Sequence, residues 1–137
     1  MAQIIWDDSF SVGVGLIDTQ HKKLFSILNE LDRAVNEQQD EDPALLEKIV
    51  FDLHAYVDFH FGEEEKYFKK FNYQQIDQHQ AQHKIYEEKI QEFHNNYLSD
   101  KTGLSRDILI FLEDWIQGHI KTIDKKYTKC FNDHGLV

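Results

Sequence analysis

The sequence predicts an all-α protein, namely an antiparallel up-down-up-down four-helix bundle with an N-terminal arm. Along four segments, apolar residues recur at steps of three and four, which is the spacing of one helix face. The chain has one Pro and six Gly among 137 residues, too few turn residues for a many-stranded β fold. The breaks between the segments are short, and short connections favour antiparallel neighbours in a bundle.

An N-terminal arm, residues 1–18, precedes the first segment and follows neither the helix nor the strand period. It contains Trp6 and Phe10 and a short Val-Gly-Val-Gly run. Large apolar residues next to glycines favour a segment that packs on the bundle and then bends. Asp18 is a suitable N-cap, so we expect the first helix to begin after it.

Four helices are predicted, at residues 19–39, 43–71, 76–98 and 104–128. The second helix has a clear start signal, because Asp42 and Pro43 fit the N-cap and the first helical position. Each helix has an apolar stripe on one face. The four stripes are His21, Leu24, Leu28, Leu31, Val35; Leu46, Val50, Leu53, Val57, His60, Glu64, Tyr67, Phe71; Ile76, His79, His83, Tyr86, Ile90, Phe93, Tyr97; and Ile108, Leu112, Trp115, His119, Ile123.

Composition narrows the function classes. Acidic residues outnumber basic ones by 25 to 15, for a formal charge of −10. This balance argues against a protein that binds nucleic acid or an anionic membrane, because both kinds of binding need clustered Lys and Arg. A single Cys, Cys130, excludes an intrachain disulfide framework and a cysteine-based zinc site. No targeting signal and no apolar run of about 20 residues is present. We therefore expect a soluble, cytoplasmic, monomeric protein.

The histidines are the unusual part of the composition. Five of the eight lie on the apolar stripes, together with one carboxylate: His21, His60, His79, His83, His119 and Glu64. The remaining three, His54, His94 and His134, are expected on the surface. One His on an apolar face is ordinarily a core residue with a hydrogen bond. Five of them with a buried acid are better explained by a metal site, because a metal binds five ring nitrogens at once.

The spacing favours chelation near one end of the bundle. His60 and Glu64 are four residues apart, as are His79 and His83, so each pair differs by only about 40° around its helix. His21 lies early in the first helix and His119 late in the fourth, which is the same end of an antiparallel bundle. Five imidazoles exceed the four ligands of one zinc. Two ions fit better, and iron, manganese and zinc all remain possible.

Asp124 stands apart from this set. It follows His119 by five residues, which places it roughly 140° away around an α-helix. On geometry alone, a solvated Asp near a helix end is the better interpretation.

These residues resemble the hemerythrin family, in particular its single-domain bacterial members. The matching segments are residues 14–25, 60–65, 79–83 and 115–124, and the arm with Trp6 also fits. The resemblance implies a non-haem di-iron centre with an oxo or hydroxo bridge. His79, His83 and His119 would bind one iron, and His21 and His60 the other. Glu64 and Asp124 would bridge them, since the His-x4-Asp spacing matches the family.

The resemblance further implies reversible dioxygen binding at the iron with two histidines, for storage or for delivery to an oxygen-consuming enzyme. Trp115, Leu24, Leu28 and Phe61 are candidates for an apolar wall that excludes water from the site. Phe68 departs from the family, which often has Met there, and the pocket or its access route is expected to differ. Cys130 matches no ligand position.

Two other functions remain open. A sensor would act through a separate partner, and a di-iron oxidase or peroxidase would turn over substrate. Ferritin-like di-iron sites use Glu-x-x-His pairs, and no His here has Glu three residues before it. The site is rich in neutral imidazole and poor in carboxylate, which favours a carrier over an enzyme.

Overall fold

The computed structural model describes residues 4–37, 43–99 and 104–137. It confirms the predicted fold class: four long helices form a bundle. They are α1 (Gly15–Glu37), α2 (Pro43–Lys70), α3 (Ile76–Ser99) and α4 (Leu104–Gly118). Consecutive helices pack against each other, and α4 returns to pack on α1. No helix in the described ranges is long and apolar enough to cross a membrane.

Helix α1 shows how the stripe pattern becomes a core. Its five stripe residues are all exposed by 4% or less. In α2 the stripe shifts near its end, because Phe68 is fully buried while the predicted Tyr67 is only half-buried. The predicted N-cap Asp42 and the side chains of Leu46, His94 and Tyr97 lie outside the described residues.

The start of α1 differs from the prediction. The helix begins at Gly15, and the amide of Asp18 already donates to the Val14 carbonyl. Asp18 is therefore not the N-cap. Its carboxylate instead accepts the Val12 amide at 2.8 Å and the Ser11 hydroxyl at 2.6 Å. It fixes the bend between the arm and the helix.

The arm packs along the bundle. The Asn29 side chain accepts the Ile4 amide at 2.8 Å and donates to the Ile4 carbonyl at 2.9 Å. Trp6 contacts Phe10 and Phe25, with ring centroids less than 6 Å apart. These contacts extend the apolar core beyond the four helices.

The predicted fourth helix is not one regular helix. After Gly118 the chain makes a π-helical turn (His119–Ile123), a 3₁₀ turn (Asp124–Tyr127) and a short helix, α5 (Thr128–Asp133). Helix α5 holds the arm, because Thr128 donates its hydroxyl to the Val12 carbonyl and Asn132 donates its amide to the Gly13 carbonyl. The change in helix type occurs at the cluster of buried histidines.

Candidate metal centre

The structure brings all seven candidate ligands together inside one end of the bundle. Each is exposed by 6% or less: His21, His60, Glu64, His79, His83, His119 and Asp124. Helices α1, α2 and α3 supply five of them, and the π-helical and 3₁₀ turns that follow α4 supply His119 and Asp124. The chain therefore buries five imidazoles and two carboxylates among aromatic rings.

The Nε2 atoms of these histidines face the two carboxylates. Asp124 Oδ1 lies 3.0 Å from Nε2 of both His79 and His119, and Asp124 Oδ2 lies 3.2 Å from Nε2 of His21. Glu64 Oε1 lies 3.4 Å from Nε2 of His60 and 3.2 Å from Nε2 of His83. Ligands about 2.0–2.2 Å from a metal are separated from one another by about 3 Å. The cluster therefore has the dimensions of a coordination sphere.

Many of these polar atoms have no hydrogen-bond partner. Glu64 Oε1, both Asp124 oxygens and the Nε2 atoms of His79, His83 and His119 are buried and unsatisfied. Nε2 atoms of His21 and His60 face each other at 3.0 Å. Buried polar groups without partners are costly, so such a set favours bound cations. The residues present fit a non-haem di-iron centre.

The seven residues divide into two overlapping groups. One contains His79, His83 and His119, and the other contains His21 and His60; Glu64 and Asp124 belong to both. Each group could hold one ion, and the two carboxylates could contribute to both. Mixed imidazole and carboxylate ligands of this kind are compatible with iron.

The π-helical turn explains how Asp124 joins the cluster. The amide of Asp124 donates to the carbonyl of His119, an i→i+5 bond in place of the α-helical i→i+4 bond. One turn of π-helix spans about five residues, so it returns the chain to the face of His119. The α-helical phase argument against Asp124 therefore fails here.

Burial favours neutral imidazole at two of the ligands, His60 and His83. Burial lowers the pKa of His60 to about 4, despite the opposing charge of Glu64. Burial and the neighbouring His79 and His119 lower the pKa of His83 to about 3. Burial and the charge of Asp124 raise the pKa of Glu64. Neutral rings leave lone pairs for a metal, and bound cations would stabilise both carboxylates in the ionised form.

Three further residues, which sequence reasoning missed, orient the ligands. Gln20 Oε1 accepts the Nδ1 proton of His60 at 2.7 Å, which fixes the tautomer and leaves Nε2 free. Glu65 lies 3.3 Å from Nδ1 of His83, and the Tyr127 hydroxyl donates to Glu64 Oε2 at 2.7 Å. Gln20 and Glu65 adjoin ligands in sequence, which was the available signal.

The predicted wall residues have different positions. Phe61 stacks on His83 with centroids 3.6 Å apart, and half-buried Trp115 stacks on His119 at 4.4 Å. Leu24 and Leu28 are buried on the α1 stripe of His21. Phe68, at the position where the family often has Met, packs its ring 4.6 Å from His79. Aromatic rings therefore cover the three-histidine side.

Comparison with known proteins identifies the family of this chain. A family model described as the hemerythrin HHE cation binding domain matches residues 12–130. The chain belongs to the hemerythrin family. A bacteriohemerythrin of Clostridium acetobutylicum is 30% identical and aligns over 90% of this chain and 97% of its own length. A hemerythrin-like protein of Naegleria gruberi is 34% identical and aligns over 89% of this chain and 88% of its own length.

Solved structures agree with the family assignment. A crystal structure of wild-type hemerythrin superposes with a TM-score of 0.84 at 28% identity, covering 94% of this chain and 98% of that one. The structural match therefore covers nearly the whole of this chain.

Proposed function

We propose that this hemerythrin binds dioxygen reversibly at a di-iron centre, for storage or for delivery to an oxygen-consuming enzyme. The observation that carries the proposal is the set of five Nε2 atoms directed at two shared, buried carboxylates. His79, His83 and His119 would hold one iron and His21 and His60 the other. Glu64 and Asp124 would bridge the pair.

The group with His21 and His60 has fewer ligands than the group with three histidines, which supports it as the place where dioxygen would bind. With two histidines and two shared carboxylates, its ion keeps room for an exogenous ligand. When bound, a pair of ferrous ions supplies the electrons that dioxygen takes up and returns. The chain's own contribution is to fix the imidazoles in place and to exclude water, since every candidate ligand is almost fully buried.

Carriage is favoured over catalysis by the donor set. Five imidazoles against two carboxylates supply little negative charge to stabilise strongly oxidised iron. The orienting contacts of Gln20, Glu65 and Tyr127 also hold the ligands rigidly. We propose that the protein has no enzymatic turnover of its own.

Spectroscopy of the reduced, iron-loaded protein tests this function. We expect a visible charge-transfer band in air that disappears under vacuum and returns on re-exposure, with two irons per chain by metal analysis. His119→Ala should lose iron and the band, because it removes an Nε2 atom 3.0 Å from Asp124. His134→Ala is the matched control, since exposed His134 lies outside the cluster and stacks on Phe71.

Three results would contradict the proposal. Rapid irreversible oxidation with turnover of peroxide would indicate an enzyme. One zinc and no iron per chain would exclude the di-iron centre. If the His119 and His134 variants lost iron equally, neither iron binding nor the visible band would depend specifically on the cluster.

A further inference from the structure

A second group of ligand-type side chains lies on the outer face between α2 and α3. It contains His54 and Asp58 from α2 and Glu87 from α3, and its ligand atoms are all within 4.8 Å of one another. His54 precedes His60 by six residues and lies about 9 Å from it along α2, and the group shares no residue with the di-iron ligands. His54 was expected on the open surface, but it is only 35% exposed.

The dimensions of this group fit a small divalent ion. Nε2 of His54 lies 3.5 Å from Asp58 Oδ2 and 3.7 Å from Glu87 Oε2. Tetrahedral ligands at about 2.1 Å from zinc are separated by about 3.4 Å. His54 Nε2 is therefore separated from each carboxylate oxygen by about the distance between two zinc ligands, and all three ligand atoms lie within 4.8 Å of one another.

The two carboxylates also need positive charge. Asp58 Oδ2 and Glu87 Oε2 both face Nε2 of His54, and the ligand atoms of the three residues lie within 4.8 Å of one another. Among the described residues, no Lys or Arg forms an ion pair with Asp58 or Glu87; both pair with His54. A bound cation would balance the charge of both acids.

The imidazole limits which cation suits the group. Calcium and magnesium prefer oxygen ligands alone, whereas zinc and its neighbours accept mixed nitrogen and oxygen ligands. The His54 ring is already oriented, because it stacks on Tyr86 at 6.3 Å and 21°. The side chains of Asp58 and Glu87 are 51% and 38% exposed, so water can complete the coordination.

We propose that His54, Asp58 and Glu87 form a second, solvent-accessible site for a divalent cation of the zinc class, separate from the di-iron centre. His54 and Asp58 chelate from one helix turn, and Glu87 joins α3 to them. The site is independent of the oxygen chemistry, because it shares no ligand with the buried cluster.

Zinc titration of the iron-loaded protein tests the site, with zinc and iron counted separately by metal analysis. We expect one zinc per chain in addition to the iron. His54→Ala and Glu87→Gln should each weaken zinc binding by about tenfold or more, since each removes one of three ligands. Iron content and the visible spectrum should stay unchanged in both variants.

Glu88→Gln is the matched control. It removes the same charge from the neighbouring position, where Glu88 is 68% exposed and pairs with Lys84, and zinc binding should remain as in the unaltered chain. The proposal is overturned if no additional zinc binds, if zinc enters only by displacing iron, or if all three variants bind it alike.

Discussion

The Tyr127 phenol shows how one residue can control a buried ligand. It is fully buried and donates to Glu64 at 2.7 Å. Burial and the charges of Glu64 and Asp124 raise its pKa well above the ordinary value of 10.0, so it remains a donor at any physiological pH. It therefore holds one oxygen of Glu64 while Oε1 faces the histidines.

Tyr127→Phe should retain two irons but destabilise the protein. The change removes a hydrogen bond to a buried charged group, which is worth about 1.5–3 kcal/mol. Thermal unfolding, with iron content measured on the same samples, checks the loss. Tyr73→Phe is the control, since the Tyr73 hydroxyl makes a 3.4 Å contact with Gln75 and its removal should cost far less. Equal midpoints for the two variants would refute the role of Tyr127.

At the scale of elements, the contact between the arm and α5 depends on a glycine. Gly13 has φ +70°, and an added Cβ would lie 2.8 Å from Thr128 Cγ2. Gly62, within α2, has helical backbone and no heavy atom within 4 Å of an added Cβ. The same substitution at these two positions should have opposite effects.

Gly13→Ala should lower the free energy of unfolding by about 1–3 kcal/mol, because it adds backbone strain to a steric clash. Gly62→Ala should raise it by about 0.5–1 kcal/mol through helix propensity. Urea unfolding of both iron-loaded variants measures the pair. A stabilised Gly13 variant would show that the arm does not hold this turn.

A carboxyl pair connects α1 to α4 further from the metal cluster. Asp32 and Glu113 are 4% and 7% exposed, and burial followed by the charge of Asp32 raises the pKa of Glu113 to about 7. The folded protein thus keeps a proton that the unfolded chain releases above the ordinary value of 4.5. The resulting stability is complete below that value and is lost as the pH rises through about 7.

Glu113→Gln should remove this pH dependence, because an amide can donate to Asp32 without releasing a proton. Relative to the unaltered chain, the variant should gain about 1 kcal/mol or more at pH 8. Near pH 5 the gain should shrink. Urea unfolding of the variant and of the unaltered chain is compared at each pH. The contribution of iron, which both proteins share, then cancels. A difference independent of pH would rule out the shared proton.

At the scale of the whole molecule, the di-iron site is the centre on which α1, α2, α3 and the end of α4 converge. Without iron, the protein buries five imidazoles and two carboxylates that leave many atoms unsatisfied. Binding to the folded state alone stabilises by about 4 kcal/mol when free ligand is 1,000-fold above Kd. Stability of the fold is therefore linked to metal content.

Iron removal should lower the thermal midpoint by about 10 °C or more, since two ions each contribute several kcal/mol. Scanning calorimetry of the iron-loaded and chelator-treated protein measures the shift, and re-addition of ferrous iron should restore it. Identical midpoints would mean that iron does not bind to the folded cluster.

The sequence by itself determined the bundle and most of the site. Helical spacing placed five histidines and Glu64 on buried faces, because an α-helix repeats every 3.6 residues. The antiparallel order of the helices put these residues at one end of the bundle. Only the tertiary structure decided the irregular parts. The π-helical turn brings Asp124 to His119, although an α-helix would place it roughly 140° away.

Contacts between ligand side chains and residues far away in the sequence were also decided only by the tertiary structure. Tyr127 reaches Glu64 across 63 residues of sequence, and Glu87 approaches His54 from another helix. No local period encodes such contacts, since they depend on how two helices are rotated against each other. The chain therefore specifies its ligands locally and their orientation through packing.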